Sequence, residues 1–167
     1  MNVVLLEPEI PSNTGNIART CVCTGCKLHL IKPLGFSLSE KHLRRAGMDY
    51  WKQLDLAVYE NYQDFLDELK KHPDARLFYA TTKGKQTYCE VSYGPDDFIM
   101  FGKESAGIPE EILRHHKNDC IRIPMGPDLR SLNLANSVAI ILYESLRQQG
   151  FPGLEPFGNL HHGEYIE

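Results

Sequence analysis

The chain has 167 residues, with 18 Lys and Arg against 22 Asp and Glu, a formal net charge of −4, and 42% hydrophobic residues. This length is enough for one domain that buries roughly two-thirds of the surface of its unfolded chain, so we expect a single domain over residues 1–167. The acidic balance argues against nucleic-acid binding by bulk electrostatics, although it leaves room for a local basic patch. No apolar run approaches the length of a membrane span, and MNVVLLEPE reads as a first strand, not a signal peptide, so we expect a cytoplasmic protein with no membrane partner.

Apolar, β-rich runs alternate with helical patterns along the chain. Strands are predicted at NVVLLE, KLHLIKP, LDLAVYE, RLFYATT, FIMFG and CIRIPM, and helices at 16–24, 38–46, 62–71, 109–116 and 132–149. Gly25 and Gly47 stand where helix C-caps belong, and Pro109 suits a first helical position. This alternation predicts an α/β domain with a mainly parallel sheet flanked by helices, which places ligands beyond the carboxyl ends of its strands. The Pro- and Gly-rich tail from about 151 to 167 is expected to be irregular.

Five cysteines include the cluster CVCTGC, formed by Cys21, Cys23 and Cys26. The odd count argues against a disulfide framework, and zinc would need four ligands whereas Cys89 and Cys120 stand alone. Cys21 falls on the expected buried face of the first helix. We therefore favour buried, apolar cysteines over a metal site and predict no metal.

Two loops after predicted strands carry polar residues and glycines. The first, EPEIPSNTGNIART, contains Asn13 and leads into a helix bearing Arg19. It lacks the G-x-G-x-x-G fingerprint, which disfavours a nucleotide-dependent dehydrogenase. The second, FGKESAGIP, places Gly102 and Glu104 after a buried strand, where glycine lets a ligand approach the backbone closely. No P-loop is present, because neither TKGKQT nor FGKES has Ser or Thr directly after Gly-Lys.

The third loop opens the last helix, in IPMGPDLRSLNLANSVAIILYE. Ser131 is a suitable N-cap, and Asn133, Asn136 and Ser137 lie on one flank of a helix whose middle is wholly apolar. Buried polar groups need partners, which here are either protein backbone or a ligand. The flank is therefore a candidate wall of a binding site.

Together the three loops resemble, in the same order, the three motifs of the SPOUT-class RNA 2′-O-ribose methyltransferases, and the likeness extends to LRRAGMDYW and LFYATTKG. Within that family the chain is most similar to the small bacterial tRNA (cytidine(34)-2′-O)-methyltransferases, which act on cytidine or modified uridine at the wobble position of the anticodon loop. The resemblance implies S-adenosylmethionine as cofactor, a homodimer and a C-terminal trefoil knot, which connection rules alone would not predict. It leaves no room for a separate RNA-binding domain.

The resemblance also implies roles for residues at matching positions. Arg19 and Asn13 would be catalytic, with Ser131 and Asn133 in support. The cofactor would contact strand-end groups: Ala80, Gly102, Glu104, Ile123, Met125, Ser131 and Leu132. A separate argument from charge concerns the RNA: without an appended domain the dimer itself must hold the tRNA, and we expect basic residues on KHLRRAG and near a strand end to do so: Lys41, Arg44, Arg45, Lys83 and Lys85.

Several alternatives stay open on the sequence alone. The run KHLRRAG is also typical of a solvated helix face, and Tyr143 is either a substrate contact or a core or interface residue. The motifs identify cofactor and ribose but not the nucleotide, so the enzyme could methylate another site in tRNA or ribosomal RNA. A non-catalytic RNA-binding protein that keeps the knot is the remaining alternative. The joint presence of the catalytic candidates with Glu104 argues against it.

Overall fold

The structure, a computed structural model, describes residues 1–38 and 51–161. Several sequence predictions fall outside these ranges: most of the helix at 38–46, the C-cap Gly47, and the basic residues Lys41, Arg44 and Arg45.

Seven strands form one sheet in the described ranges, and every pairing is parallel. The strands are β1 (Asn2–Leu6), β2 (Lys27–Ile31), β3 (Leu56–Tyr59), β4 (Leu77–Ala80), β5 (Gln86–Thr87), β6 (Phe98–Phe101) and β7 (Cys120–Arg122). Their order across the sheet is β3-β2-β1-β6-β4-β7-β5. The six predicted strands are confirmed. Sequence analysis missed β5, because a two-residue strand is too short to show a pattern.

Four helices flank this sheet in the part of the chain that the structure describes: α1 (Pro11–Thr24), α2 (Tyr62–Leu69), α3 (Glu110–Leu113) and α4 (Leu134–Gln148). A short 3₁₀ turn lies at Trp51–Gln53. The predicted C-cap of α1 is confirmed, since Gly25 adopts a left-handed φ of 65°.

Three predicted helix starts are wrong. The first helix begins at Pro11, well before residue 16, and Pro109 is the N-cap of α3 instead of its first residue. The prediction that Ser131 caps α4 is also wrong, because Asn133 is the N-cap. The side-chain oxygen of Asn133 accepts the backbone N–H groups of Ala135 and Asn136, so this nearer residue satisfies the first turn.

The helices cover both faces of the sheet. On one face, Ile17 of α1 and Ile141 of α4 share a buried cluster with strand residues. On the other face, Phe65 of α2 and Leu113 of α3 join a second cluster with Met100. Covered faces explain the near-continuous apolar strands, as expected for a buried parallel sheet. The carboxyl ends of the parallel strands, and the loops that follow them, lie at one edge.

The prediction that the cysteines are buried is confirmed for three of the five, and the prediction of an irregular tail is confirmed over its described part. Cys21, Cys26 and Cys120 are buried as expected, whereas Cys23 and Cys89 are exposed because they lie outside the packed faces. Residues 151–161 are irregular, as their Pro and Gly content predicts. Over the described ranges, no helix is long and apolar enough to cross a membrane, and no group of three or more His, Cys, Asp or Glu side chains is placed to hold a metal ion.

Candidate active site

A cleft of about 570 Å³ opens at the carboxyl ends of the central strands. Its walls are the segments that follow β4, β6 and β7, together with the first turns of α1 and α4. Small-molecule pockets in proteins span roughly 300 to 1,000 Å³, so the cleft can hold a nucleoside-sized ligand. All the predicted cofactor contacts line it: Ala80, Gly102, Glu104, Ile123, Met125, Ser131 and Leu132.

The predicted catalytic residues divide into two groups. Asn13, Ser131 and Asn133 line the cleft, whereas Arg19 does not. Asn13 is buried and Arg19 is exposed, although both lie on α1. Their separation of six positions corresponds to about 240° of helix rotation and about 9 Å of rise, so the two side chains leave α1 in different directions. The cleft of one chain therefore does not include Arg19.

The predicted RNA contacts are also dispersed. Lys83 lines the cleft, and its Nζ lies 3.1 Å from Glu110 Oε1. Lys85 is exposed and lies in an adjoining groove. Tyr143 on α4 is 47% exposed, so the alternative that it is a core residue is wrong. The alternatives of an interface contact and a substrate contact stay open.

Two side-chain amides connect the helices that meet at the cleft. Asn133 Nδ2 donates to Asn13 Oδ1 at 3.0 Å, and Asn13 Nδ2 donates to Glu104 Oε1 at 2.9 Å. Asn133 Oδ1 accepts the N–H groups of Ala135 and Asn136 at 2.9 and 3.3 Å. Each amide uses its oxygen and its nitrogen for different partners, so both are held in one orientation. The polar start of the last helix therefore serves protein partners as well as lining the cleft.

The carboxylate of Glu104 caps α1 from a distant part of the chain. It accepts the backbone N–H groups of Glu9 at 2.8 Å and Ile10 at 3.2 Å, across 95 and 94 residues of sequence. Ile10 is the N-cap residue and offers no side-chain hydrogen bond of its own. The carboxylate thus accepts the N–H groups of the N-cap residue and of the residue before it, and it complements the positive end of the helix dipole. Because this cap is not local, the sequence did not reveal that α1 begins at Pro11.

The loops after β1 and β6 hold each other through reciprocal contacts that sequence analysis missed. Ser105 donates its N–H at 2.9 Å and its hydroxyl at 2.8 Å to the carboxylate of Glu9. These bonds hold the pKa of Glu9 below its ordinary value. Lys103 Nζ lies 2.9 Å from Glu7, which raises the pKa of Lys103. We call Glu7, Glu9, Lys103, Glu104 and Ser105 the loop clasp. Its only sequence signal is the pair of charged segments EPE and KES after adjacent strands.

The loop after β6 folds back tightly on itself. A Cβ added at Gly102 would lie 2.1 Å from the carbonyl carbon of Gly107 and 2.2 Å from the nitrogen of Ile108. Gly107 has a left-handed φ of 71°, and its N–H donates to the carbonyl of Lys103 at 2.8 Å. Position 102 therefore requires glycine and position 107 favours it, and the fold of this loop brings its backbone into the cleft wall.

Known proteins share this arrangement over nearly the whole chain. The profile of the SpoU rRNA Methylase family matches residues 1–143, and the chain belongs to that family. A tRNA (cytidine(34)-2′-O)-methyltransferase of Yersinia pestis is 51% identical over 156 residues, which cover 92% of this chain and 96% of that protein. The family resemblance inferred from the sequence is therefore confirmed.

Two solved structures extend the comparison. One, described as "Structural insights into the 2-OH methylation of C/U34 on tRNA", has a TM-score of 0.82 at 43% identity and covers 89% of this chain and 95% of its own. The other, an AdoMet-bound rRNA methyltransferase from Sinorhizobium meliloti, has a TM-score of 0.75 at 26% identity and covers 87% of this chain and 55% of its own. The α/β fold with a parallel sheet flanked by helices is thus shared with RNA methyltransferases.

Proposed function

We propose that the protein is an S-adenosylmethionine-dependent enzyme that methylates the ribose 2′-hydroxyl of nucleotide 34, cytidine or modified uridine, in the anticodon loop of tRNA. The observation that carries the proposal is the gathering of every predicted cofactor contact, with Asn13 and Asn133, around one cleft at the strand ends. The choice of nucleotide follows the names of the Yersinia pestis relative and of the C/U34 structure. The proposal includes a single domain over residues 1–167 and a cytoplasmic location.

The cleft fits the cofactor. Ile123, Met125 and Leu132 offer apolar surface for a flat adenine ring, and the strand-end backbone at Ala80 and Gly102 can pair with its edge. The carboxylate of Glu104 is engaged at the start of α1, so we assign its part in cofactor binding to its backbone and to the shape of the wall. When bound, the cofactor supplies an electrophilic methyl group on a positively charged sulfur.

The ribose hydroxyl must lose its proton as it attacks, so the site needs a base or a group that stabilises the developing alkoxide. A guanidinium stays charged in proteins, which makes Arg19 a poor base. We assign Arg19 to holding an RNA phosphate and stabilising the alkoxide, while the proton passes to that phosphate or to water. Asn13 is a positioning residue, because Glu104 and Asn133 occupy both ends of its amide. Ser131 is exposed at the cleft and offers its hydroxyl to the substrate.

A homodimer with a C-terminal trefoil knot is part of the proposal. The reacting ribose must lie near both the cleft and Arg19, and Arg19 does not line the cleft of its own chain. This arrangement supports a dimer in which Arg19 of one subunit serves the cleft of the other. Tyr143, which is 47% exposed on α4 and does not line the cleft, offers apolar surface for such a contact.

The experiment that tests the proposal measures methyl transfer from labelled S-adenosylmethionine to unmodified bulk tRNA, with wild type and Arg19→Ala, and maps the labelled nucleotide. We expect label on the ribose of nucleotide 34, and its loss in the variant. Thermal unfolding of the variant controls for folding.

A second candidate is methylation of another RNA site, because the matching family is described as an rRNA methylase family. If the cofactor binds but no tRNA is labelled, the assignment to unmodified tRNA is wrong. Ribosomal RNA and matured tRNA are then the substrates to test.

A further inference from the structure

A second cleft, of about 320 Å³, adjoins the cofactor cleft and shares Lys83 with it. Its walls are the loop after β4, the end of α3 and the start of β7. Its charged lining within the described residues consists of Lys83, Lys85, Arg114 and Lys117, with Glu110 as the single carboxylate. We call this cleft the basic groove. In a chain with a net charge of −4, it is a local concentration of positive charge.

Most of the cations of the basic groove have no carboxylate partner among the residues that the structure describes. Lys83 and Glu110 form an ion pair of 3.1 Å, but their side chains are 49% and 59% exposed. Exposed pairs of this kind contribute little, so Lys83 can exchange its partner for another anion at small cost. Lys85, Arg114 and Lys117 form no salt bridge with any residue in the ranges that the structure describes.

Intramolecular roles explain this cluster poorly. Cations often follow a helix because they complement the negative end of its dipole. Arg114 and Lys117 follow α3, but α3 has only four residues and therefore a small dipole. The floor of the groove is buried, with Leu113 at 8% and Cys120 at 5% exposure, so the charges stand on its rim. A rim of cations that pair with no carboxylate in the described ranges is complementary to a chain of phosphates.

We propose that the basic groove binds the phosphodiester backbone of the RNA substrate next to the methylated nucleotide, with Arg114 and Lys117 as contacts beyond Lys83 and Lys85. The inference rests on the proposed function, because the strand whose ribose enters the cofactor cleft would leave it past Lys83, the residue common to both clefts. The planar fork of Arg114 suits two oxygens of one phosphate, and the lysines act as point charges along the strand. The openness of the groove and its exposed cations suit a long polyanion better than a small anion, which would need buried donors.

The test is the affinity for bulk tRNA of the double variant Arg114→Gln/Lys117→Gln, measured by fluorescence anisotropy over a range of salt concentrations. We expect Kd to rise about tenfold at roughly 0.1 M salt. The slope of log Kd against log salt should fall by about one to two, because each lost phosphate contact removes about one unit of slope. Cofactor affinity should remain that of wild type.

The matched control is Lys70→Gln/Lys71→Gln, which removes the same charge from the end of α2. There the lysines pair with Asp67 and Glu68 at 2.7 Å each. The control should keep the wild-type salt slope. An unchanged affinity and slope in the groove variant, or an equal loss in the control, overturns the inference.

Further measurements distinguish an electrostatic effect on RNA binding from an effect on folding and from an effect on methyl transfer. The variant Arg114→Lys/Lys117→Arg keeps both charges and should keep most of the affinity; a loss as large as in the neutral variant contradicts an electrostatic contact. If the neutral double variant unfolds at a lower temperature, the single variants, each compared with Lys70→Gln, decide the question. Binding is measured without methyl transfer. Failure to methylate tRNA would therefore overturn the proposed function alone, and normal methylation with unaltered binding would overturn this inference alone.

Discussion

The side chain of Asn133 donates a hydrogen bond of 3.0 Å to the side-chain oxygen of Asn13, which lies 120 residues earlier in the chain. The same Asn133 caps α4, and the same Asn13 donates onward to Glu104, which caps α1. The first turns of the two helices at the cleft are therefore joined by side chains whose other ends hold the helix termini. The orientation of one helix start depends on the other.

Replacement of Asn133 by Ala should lower the free energy of unfolding by about 2 kcal/mol. About 1 kcal/mol comes from the lost cap and about 1 kcal/mol from the buried Asn13 oxygen left without its partner. Asn133→Ser keeps a good capping residue but cannot reach Asn13, so it should lose about half as much. Urea unfolding of both variants measures the two contributions. If the Ala variant is as stable as wild type, the connection between the helices contributes nothing.

The variant Gly102→Ala should lower the affinity for S-adenosylmethionine at least about tenfold. Its new Cβ would lie 2.1 Å from the backbone of Gly107, so the loop after β6 must shift and deform the cleft wall. The matched control is Gly126→Ala, where the nearest atom within 4 Å is Leu129 Cδ1 at an ordinary 3.6 Å. Calorimetric titration of the cofactor compares them. Wild-type cofactor affinity in Gly102→Ala would contradict a role for this loop in binding.

Arg19→Lys should retain measurable methyl transfer to tRNA, whereas Arg19→Ala should lose at least about a hundredfold in kcat/KM. The reason is that a lysine ammonium still holds a phosphate and stabilises an alkoxide, although without the fork of a guanidinium. Both variants should bind the cofactor as wild type does, because Arg19 is assigned to an RNA phosphate and the alkoxide and not to the cofactor. A loss as complete in the Lys variant as in the Ala variant would favour a geometric or base role.

The stability of the protein should depend on pH through His29, a buried residue of β2. Its Nε2 lies 3.2 Å from Asn2 Oδ1, which can only accept, so Nε2 carries the proton and Nδ1 accepts from the Tyr59 hydroxyl at 2.9 Å. Burial, then the charge of Lys27, lowers the pKa of His29 from 6.5 to about 4. The unfolded chain therefore binds more protons between these values. The contribution of neutral His29 to the free energy of unfolding is complete above pH 6.5. As the pH falls to about 4, about 3 kcal/mol of the free energy of unfolding is lost.

Urea unfolding at several pH values checks this prediction by comparing wild type with His29→Gln. The variant should show a smaller loss of stability between pH 6.5 and 4 than wild type, whatever its stability at neutral pH. The matched control is His115→Gln, which replaces an exposed histidine and should keep the wild-type pH dependence. Parallel curves for wild type and His29→Gln would show that the ring does not titrate with a lowered pKa.

Local patterns predicted most of the fold, and long-range contacts explain what they missed. Six strands were predicted, because a sheet covered on both faces leaves apolar runs in the sequence. The start of α1 was not predicted, because the residue that caps it, Glu104, lies far along the chain. The cleft residues followed from a family resemblance, but nothing local indicates that Asn13 and Asn133 bond to each other. Arg114 and Lys117 escaped notice because only the pairing of β4 with β7 brings them beside Lys83.

The hydrogen bonds and the ion pair of the loop clasp join the start of α1 to the loop after β6. The loop lines the cofactor cleft, and α1 carries Arg19, so a ligand that displaces either segment acts on the other through Glu9 and Glu104. If the protein acts as proposed, this connection links the binding of cofactor to the binding of RNA. The factor by which bound cofactor changes the affinity for RNA must equal the factor by which bound RNA changes the affinity for cofactor.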